Sequence, residues 1–290
     1  MKVTGFTFIR NAVKYDFPIV QAITSILPLC TDFVVALGKS EDNTGALIRG
    51  INSPKIRIVE TTWDEKLRSG GKVLAAETAK AMQAIKPDAD WCFYIQGDEV
   101  IHEQYLENIR LAMERYKDDK AIDGLLLKYL HFYGSYDHVG TSPSLYKKEI
   151  RIIKNDKSIY SYRDAQGFRK GKNRKLRVKE IDAFVFHYGY VKDPKAMQRK
   201  HEDFGKLWNN DESITKNSTS VAEFDYKKSK PPLAVFEGTH PKVMEDKIRQ
   251  KNWLFIGDTS ATKYTLKQKL KIILEDKLGL NLSYNNYRIT

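Results

Sequence analysis

Three short apolar runs, each closed by a polar loop, constrain this chain more than any other feature. Val3 to Ile9 (VTGFTFI), Phe33 to Leu37 (FVVAL) and Trp91 to Ile95 (WCFYI) are rich in β-branched and aromatic residues and have the length of buried strands. Ile56 to Val59 reads as a further strand. Helix-like stretches lie between them. Pro18 is placed to open a helix through Ile26, and Leu74, Thr78, Ala81 and Ile85 share one face of a helix from about Lys72 to Ile85. Short apolar strands separated by helices predict an α/β fold with a mostly parallel central sheet flanked by helices. Such sheets collect ligands at the carboxyl ends of their strands.

Beyond Gln96-Gly-Asp-Glu99 the pattern changes. A helix is expected from Glu103 to Tyr116, and Gly124 to Phe132, Glu149 to Ile153 and Ala183 to His187 read as strands of a more antiparallel half. From Asp193 the chain reads as charged helices, including Met197 to Trp208 and Lys263 to Leu278, around a polar loop from Asn209 to Ser220. This helical C-terminal extension, 191–290, is expected to pack back on the core. The net charge of +12 divides into −2 over residues 1–145 and +14 beyond them, which fits an anionic ligand, acidic lipid headgroups, nucleic acid or simple solubility. Cys30 and Cys92 lie inside apolar segments, as expected of a reducing cytoplasm. No stretch approaches the roughly 20 apolar residues of a membrane span.

Three loops at strand ends should open on one edge of the sheet: Arg10-Asn11, Gly38-Lys-Ser-Glu-Asp-Asn-Thr44 and Gln96-Gly-Asp-Glu99. Adjacent carboxylates at Asp98 and Glu99 suit a hard divalent cation, which takes oxygen ligands and can neutralise a diphosphate. They equally suit the start of the next helix. Ser69 to Lys72, with a glycine pair ahead of a helix, could offer backbone N–H groups to a phosphate or be an ordinary loop.

The strings TFIRNAVKYDFPIVQAITSILPLCTDFVVALGKSEDNT and ADWCFYIQGDEVI resemble the nucleotide-binding half of a family 2 glycosyltransferase of GT-A fold, nearest to the lipopolysaccharide-core and capsule type. The resemblance continues through Glu149-Ile-Arg151 and His187-Tyr-Gly-Tyr190 to a helix containing Lys200, so it covers roughly residues 3 to 208. It implies a catalytic domain over 1–190, with a nucleotide-binding half at about 1–100 and an acceptor half at about 101–190. The implied reaction moves a sugar from a nucleotide-diphosphate donor, a UDP-sugar first among them, to a saccharide or lipid-linked acceptor, with inversion and with Mn²⁺ or Mg²⁺ on the diphosphate. On this resemblance Asp98 and His187 are the metal ligands, Arg10, Asn11, Asp42, Lys72, Gln96 and Asp98 line the donor site, and Asp164 is the base. The implied setting is cytoplasmic, with peripheral contact to an anionic inner membrane face.

Two positions depart from the family pattern. Leu37 and Gly38 stand where an acidic residue commonly contacts the nucleotide, and Gln96 replaces the first carboxylate of Asp-X-Asp. A glutamine cannot contribute negative charge to a metal, so a non-catalytic nucleotide-sugar-binding relative is the alternative. Asp164 could instead form a turn or pair with Arg163; Asp137 and Glu202-Asp203 are further carboxylates that could serve as base. The basic run Arg169, Lys170, Lys172, Arg174, Lys175, Arg177, Lys179 reads as a hairpin that meets an acceptor or a membrane. No nucleic-acid-binding signature accompanies it, so nucleic acid is not the expected partner. Tyr133 or Tyr136 is expected to line the acceptor cleft.

Overall fold

A computed structural model describes residues 1–64, 66–67, 69–208, 222–229, 231–259, 264, 266, 270, 273–274 and 285–290. The apolar runs become β1 (Val3–Ile9), β2 (Asp32–Gly38), β3 (Ile56–Thr61) and β4 (Trp91–Tyr94), all parallel, in the order β3-β2-β1-β4. Alternation along each strand feeds two cores. One face carries Phe33, Val35, Leu37, Trp91 and Phe93 against α1 (Ile19–Ile26) and α4 (Leu106–Tyr116). The other carries Phe6, Val34, Ala36 and Tyr94 against Val73, Leu74 and Ala81 of α3 (Lys72–Gln83). A short α2 (Thr44–Arg49) follows the β2 loop. Both faces being covered explains why β1, β2 and β4 are buried along nearly their whole length rather than on alternate residues.

The second half turns the sheet into a mixed one. The strands are β5 (Glu99–Ile101), β6 (Gly124–Tyr133), β7 (His138–Gly140), β8 (Lys148–Lys154), β9 (Ile159–Tyr162), β10 (Gly167–Lys170) and β11 (Arg174–Tyr190). Strand β8 runs antiparallel between β4 and β6, β6 and β11 are parallel, and β11, β10 and β9 form an antiparallel meander. An all-parallel run, as expected from the sequence, is therefore found only in the first four strands, and the rest mixes antiparallel pairs with the parallel pair β6–β11. Hairpin connections join β9, β10 and β11, and hairpins can only join antiparallel neighbours.

The C-terminal part also differs from the helical extension expected for it. It contains α5 (Pro194–Trp208), one-turn α6 (Tyr226–Ser229) and α7 (Glu245–Arg249), but β12 (Leu233–Val235) pairs with β7, and β13 (Tyr287–Ile289) pairs parallel with β11. The expected loop 209–220 and most of the expected helix 263–278 lie outside the described residues. Among those described, no helix is long and apolar enough to cross a membrane.

Candidate active site

The parallel register carries the ends of β1, β2 and β4 to one edge, so the three loops meet as expected. The first two are stitched together by side chains. Asn11, at a left-handed φ of 54°, accepts from Glu41 N at 2.9 Å, while its own N–H donates to Ser40 Oγ at 3.1 Å. Asp42 spends both oxygens on backbone donors, Oδ1 on Thr44 N at 2.9 Å and Oδ2 on Lys14 N at 2.7 Å. Its carboxylate thus helps to build the loop.

Beside these loops lies a cleft of about 310 Å³, walled by Arg10, Asn11, Lys14, Trp63 and, from α5, Asp203 and Phe204. The Arg10 guanidinium lies 5.5 Å from the Trp63 ring centre. Trp63 approaches so closely that a Cβ at Gly38 would fall 2.5 Å from its Nε1. Arg10 Nε and Trp63 Nε1 are buried with no partner among the described residues, two donors available to a bound acceptor group. Asp203 takes Tyr15 Oη and Lys14 Nζ, both at 2.9 Å. Burial pushes its carboxyl up, but hydrogen bonds from Lys206, Lys14 and Tyr15 bring it down to about 2. Lys72 begins α3 after Gly70 and Gly71, both left-handed, and its side chain is exposed rather than in the cleft wall; Arg68 lies outside the described residues.

The third loop holds a second, buried cluster. Gln96 turns its amide to Tyr94 Oη at 3.3 Å and to the Ala165 carbonyl at 3.2 Å. Glu99, expected beside Asp98 as a cation ligand, is instead consumed within the protein. Arg151 binds it through Nε at 2.8 Å and Nη2 at 2.7 Å, and Tyr129 Oη donates to it at 2.7 Å, with both members of the ion pair fully buried. Their separation in sequence is closed by β8 packing beside β4, a pairing that no local pattern announces.

Asp98 remains. Its Oδ2 lies 3.2 Å from Lys200 Nζ and 3.8 Å from His187 Nε2. Burial alone would push this carboxyl up, but the Lys200 ammonium beside it, through its charge first and its hydrogen bond as well, holds Asp98 well below the usual carboxylate range. Lys200 also donates to the Gly189 carbonyl at 3.0 Å. Lys192 is fully buried over the Phe17 ring and donates to the Asp16 carbonyl at 3.1 Å. Burial and the nearby Lys200 charge push its ammonium far down.

The strand register explains His187. On β11 it stands opposite Glu99 of β5 on one side and His131 of β6 on the other. The His131 and His187 Nδ1 atoms are 3.1 Å apart, and His131 Nε2 is 2.8 Å from the Tyr146 carbonyl. Burial lowers both imidazoles, His131 to about 3 with His187 adding to the effect.

Two residues beyond His187, Gly189 supplies the space in front of both donors. A Cβ there would lie 2.6 Å from His187 Cε1, 2.7 Å from its Nε2 and 3.1 Å from Asp98 Oδ2, so the missing side chain leaves a small cradle bordered by an imidazole edge and a carboxylate oxygen. That donor set suits Mn²⁺ or Mg²⁺. Among the described residues no three His, Cys, Asp or Glu side chains converge, so a cation here would draw the rest of its shell from ligand oxygens and water.

The remaining expected residues scatter. Asp164 sits at the β9–β10 turn between left-handed Arg163 and Ala165, and that turn reaches Gln96 through the Ala165 carbonyl. Tyr136, expected to line an acceptor cleft, is 3% exposed and packs on Tyr188 and Trp253 in the core, whereas Tyr133 is half-buried and stacks on Tyr190. The basic run forms the expected hairpin. Arg169 is buried with its Nη1 donating to the Asn286 carbonyl, Lys170 binds Asp123 and Asp156, and Arg177 binds Asp123. Trp63, Lys14 and Lys192 were not legible as site residues from local pattern. For Trp63 the available signal was its place just past the end of the third parallel strand, on the ligand-collecting edge.

No family model matches the chain, and no curated protein matches it. Solved structures do. Residues 1–349 of TarS from S. aureus align at 12% identity over 77% of this chain and 67% of that one, with a TM-score of 0.39. A longer TarS structure aligns at 13% identity over 77% of this chain and 41% of that one, TM-score 0.41. Glucosyl-3-phosphoglycerate synthase from Mycobacterium tuberculosis, in complex with Mn²⁺, UDP and glucosyl-3-phosphoglycerate, aligns at 17% identity over 46% of this chain and 44% of that one, TM-score 0.30. The chain thus spans less than half of the longer TarS and of the synthase.

Proposed function

We propose that this chain is a glycosyltransferase that moves a sugar from a nucleoside-diphosphate donor, a UDP-sugar first among them, to a saccharide or lipid-linked acceptor. The observation that carries the reading is the Gly189 cradle, where His187 Nε2 and Asp98 Oδ2 face one space on the edge that also bears the Arg10–Trp63 cleft. In this reading the Trp63 ring and the Arg10 and Lys14 cations receive the nucleotide, and Asp98 and His187 hold Mn²⁺ or Mg²⁺. A cation held by these two residues would supply positive charge against a leaving diphosphate. Lys200, already against Asp98, adds a positive charge on the same side, and an ammonium placed before the reaction needs no reorganisation as charge develops.

Inversion requires a base on the face opposite the leaving group. Asp164 is the proposed base, its turn being tied to Gln96 through Ala165. The family 2 type, a catalytic unit over 1–190, an envelope-polysaccharide acceptor and a cytoplasmic setting belong to the same proposal. A second reading, a nucleotide-sugar binder without turnover, draws on Gln96 and on the loss of Glu99 to Arg151, which leave the cradle a single carboxylate. Nucleic acid and an anionic membrane are less well supported, because Lys170 and Arg177 are already paired with carboxylates.

Calorimetric titration with UDP, GDP, CMP and dTDP, each with and without Mn²⁺, tests the proposal. One nucleotide should bind more tightly with Mn²⁺, and Asp98→Ala should remove that dependence. If none binds to the folded protein, the donor-site reading fails. If binding is intact but no sugar is transferred or hydrolysed, the second reading replaces it. Where the parent transfers sugar, Asp164→Asn should keep binding and lose transfer.

A further inference from the structure

His131 is buried behind the cradle, yet its two nitrogens determine what His187 can do. The Tyr146 carbonyl can only accept, so the His131 nitrogen 2.8 Å away, Nε2, carries a proton and donates it. In a neutral ring the other nitrogen, Nδ1, is then a bare acceptor. That acceptor stands 3.1 Å from His187 Nδ1. Two lone pairs at this distance would repel, so His187 carries its proton on Nδ1. Its Nε2 is left with a lone pair, and Nε2 is the atom that faces the cradle and Asp98.

We propose that His131, oriented by the Tyr146 carbonyl, is a positioning residue that fixes His187 in its Nδ1–H tautomer and thereby presents Nε2 as a cation ligand. The inference rests on the cation reading given above and assigns it a supporting group. Three elements build the relay: the segment before β8 supplies the carbonyl, β6 supplies His131 and β11 supplies His187. The His131 ring cannot easily turn to offer a different nitrogen. Tyr129 stacks on it at 5.4 Å and 25°, and Tyr146 packs edge-on at 4.6 Å and 86°. A metal-bound imidazole commonly has its second nitrogen held in this way, and loss of the holding group typically weakens metal binding by about 10- to 100-fold.

Long-range proton–nitrogen correlation spectra of metal-free, ¹⁵N-histidine-labelled protein read the tautomers directly. His187 should be protonated at Nδ1 and bare at Nε2, with His131 the reverse. A His187 proton on Nε2 overturns the proposal. In His131→Phe, His187 should move to the Nε2–H form that free imidazole prefers, and Mn²⁺ affinity should fall about 10- to 100-fold. In His131→Gln, whose amide can donate to Tyr146 and accept from Nδ1, both should return to within a few-fold of the parent. Circular dichroism checks that each variant is folded. A folded His131→Phe that keeps the His187 tautomer, or a folded His131→Gln that behaves like it, also overturns the proposal. If the parent protein binds no Mn²⁺ the cation reading fails, while the tautomers of the parent and the two variants still decide the role of His131.

Discussion

At position 189 a side chain and a ligand would compete for one space. The glycine has no left-handed φ, so alanine costs no backbone strain there, but its Cβ would lie 2.6 Å from His187 Cε1 and 2.7 Å from Nε2. Gly189→Ala is therefore expected to leave the fold intact while lowering Mn²⁺ affinity at least about tenfold, as checked by calorimetry beside a thermal melt. The neighbouring carboxylates separate in the opposite sense. Asp98→Ala should cost donor binding, whereas Glu99→Ala leaves the Arg151 guanidinium buried without its counter-charge and should cost about 3–5 kcal/mol of stability in a denaturant melt. In the sequence Asp98 and Glu99 are equivalent neighbours. What distinguishes them is Arg151, a basic residue with no local mark of its role, brought across by long-range strand pairing.

Elements differ in how far their sequences announce them. Strands β1, β2 and β4 are continuous apolar runs and were legible, as was α3 from the face formed by Leu74, Thr78, Ala81 and Ile85. Strand β11 was legible only in its last third. Its first part alternates Leu176 and Val178 inward with charged residues outward, and the density of lysine and arginine offers it only as one arm of a hairpin, without the pairing to β6 and β13 that makes it one long strand. The three-residue strands β12 and β13 have no local signal because partners make them. Strand β8 carries a measurable consequence of the same closure. Glu149 is 3% exposed, and burial pushes its carboxyl up to about 7, with Arg151 opposing. Between its ordinary 4.5 and about 7 the folded protein keeps a proton that the unfolded chain releases. The stability so gained is complete below the lower value and is lost as pH rises through the upper one. Glu149→Gln should flatten this dependence and raise stability at pH 8 by on the order of 3 kcal/mol, read from urea melts at pH 5 and pH 8.

Across the molecule, the charge asymmetry that invites a nucleic-acid or membrane reading is partly absorbed by the fold. Lys170 and Arg177 neutralise Asp123 from the acidic first half, and Lys200 neutralises Asp98. The edge on which the candidate site sits follows from the parallel order β3-β2-β1-β4 and was legible, because strand ends in such a sheet share a side. The partition of that edge into an open cleft and a buried cradle was not, because α5 divides them. This helix is fastened to the site itself: Arg199 to the Lys14 carbonyl, Lys200 to Asp98 and Gly189, Asp203 to Tyr15 and Lys14, and Phe204 between Tyr15 and Phe17. Its amides in 194–208 consequently become a reporter of occupancy. Their deuterium uptake should slow when nucleotide and Mn²⁺ are both present and return to the free rate in Asp98→Ala, while the amides of β1 and β2 exchange at the same pace in either state.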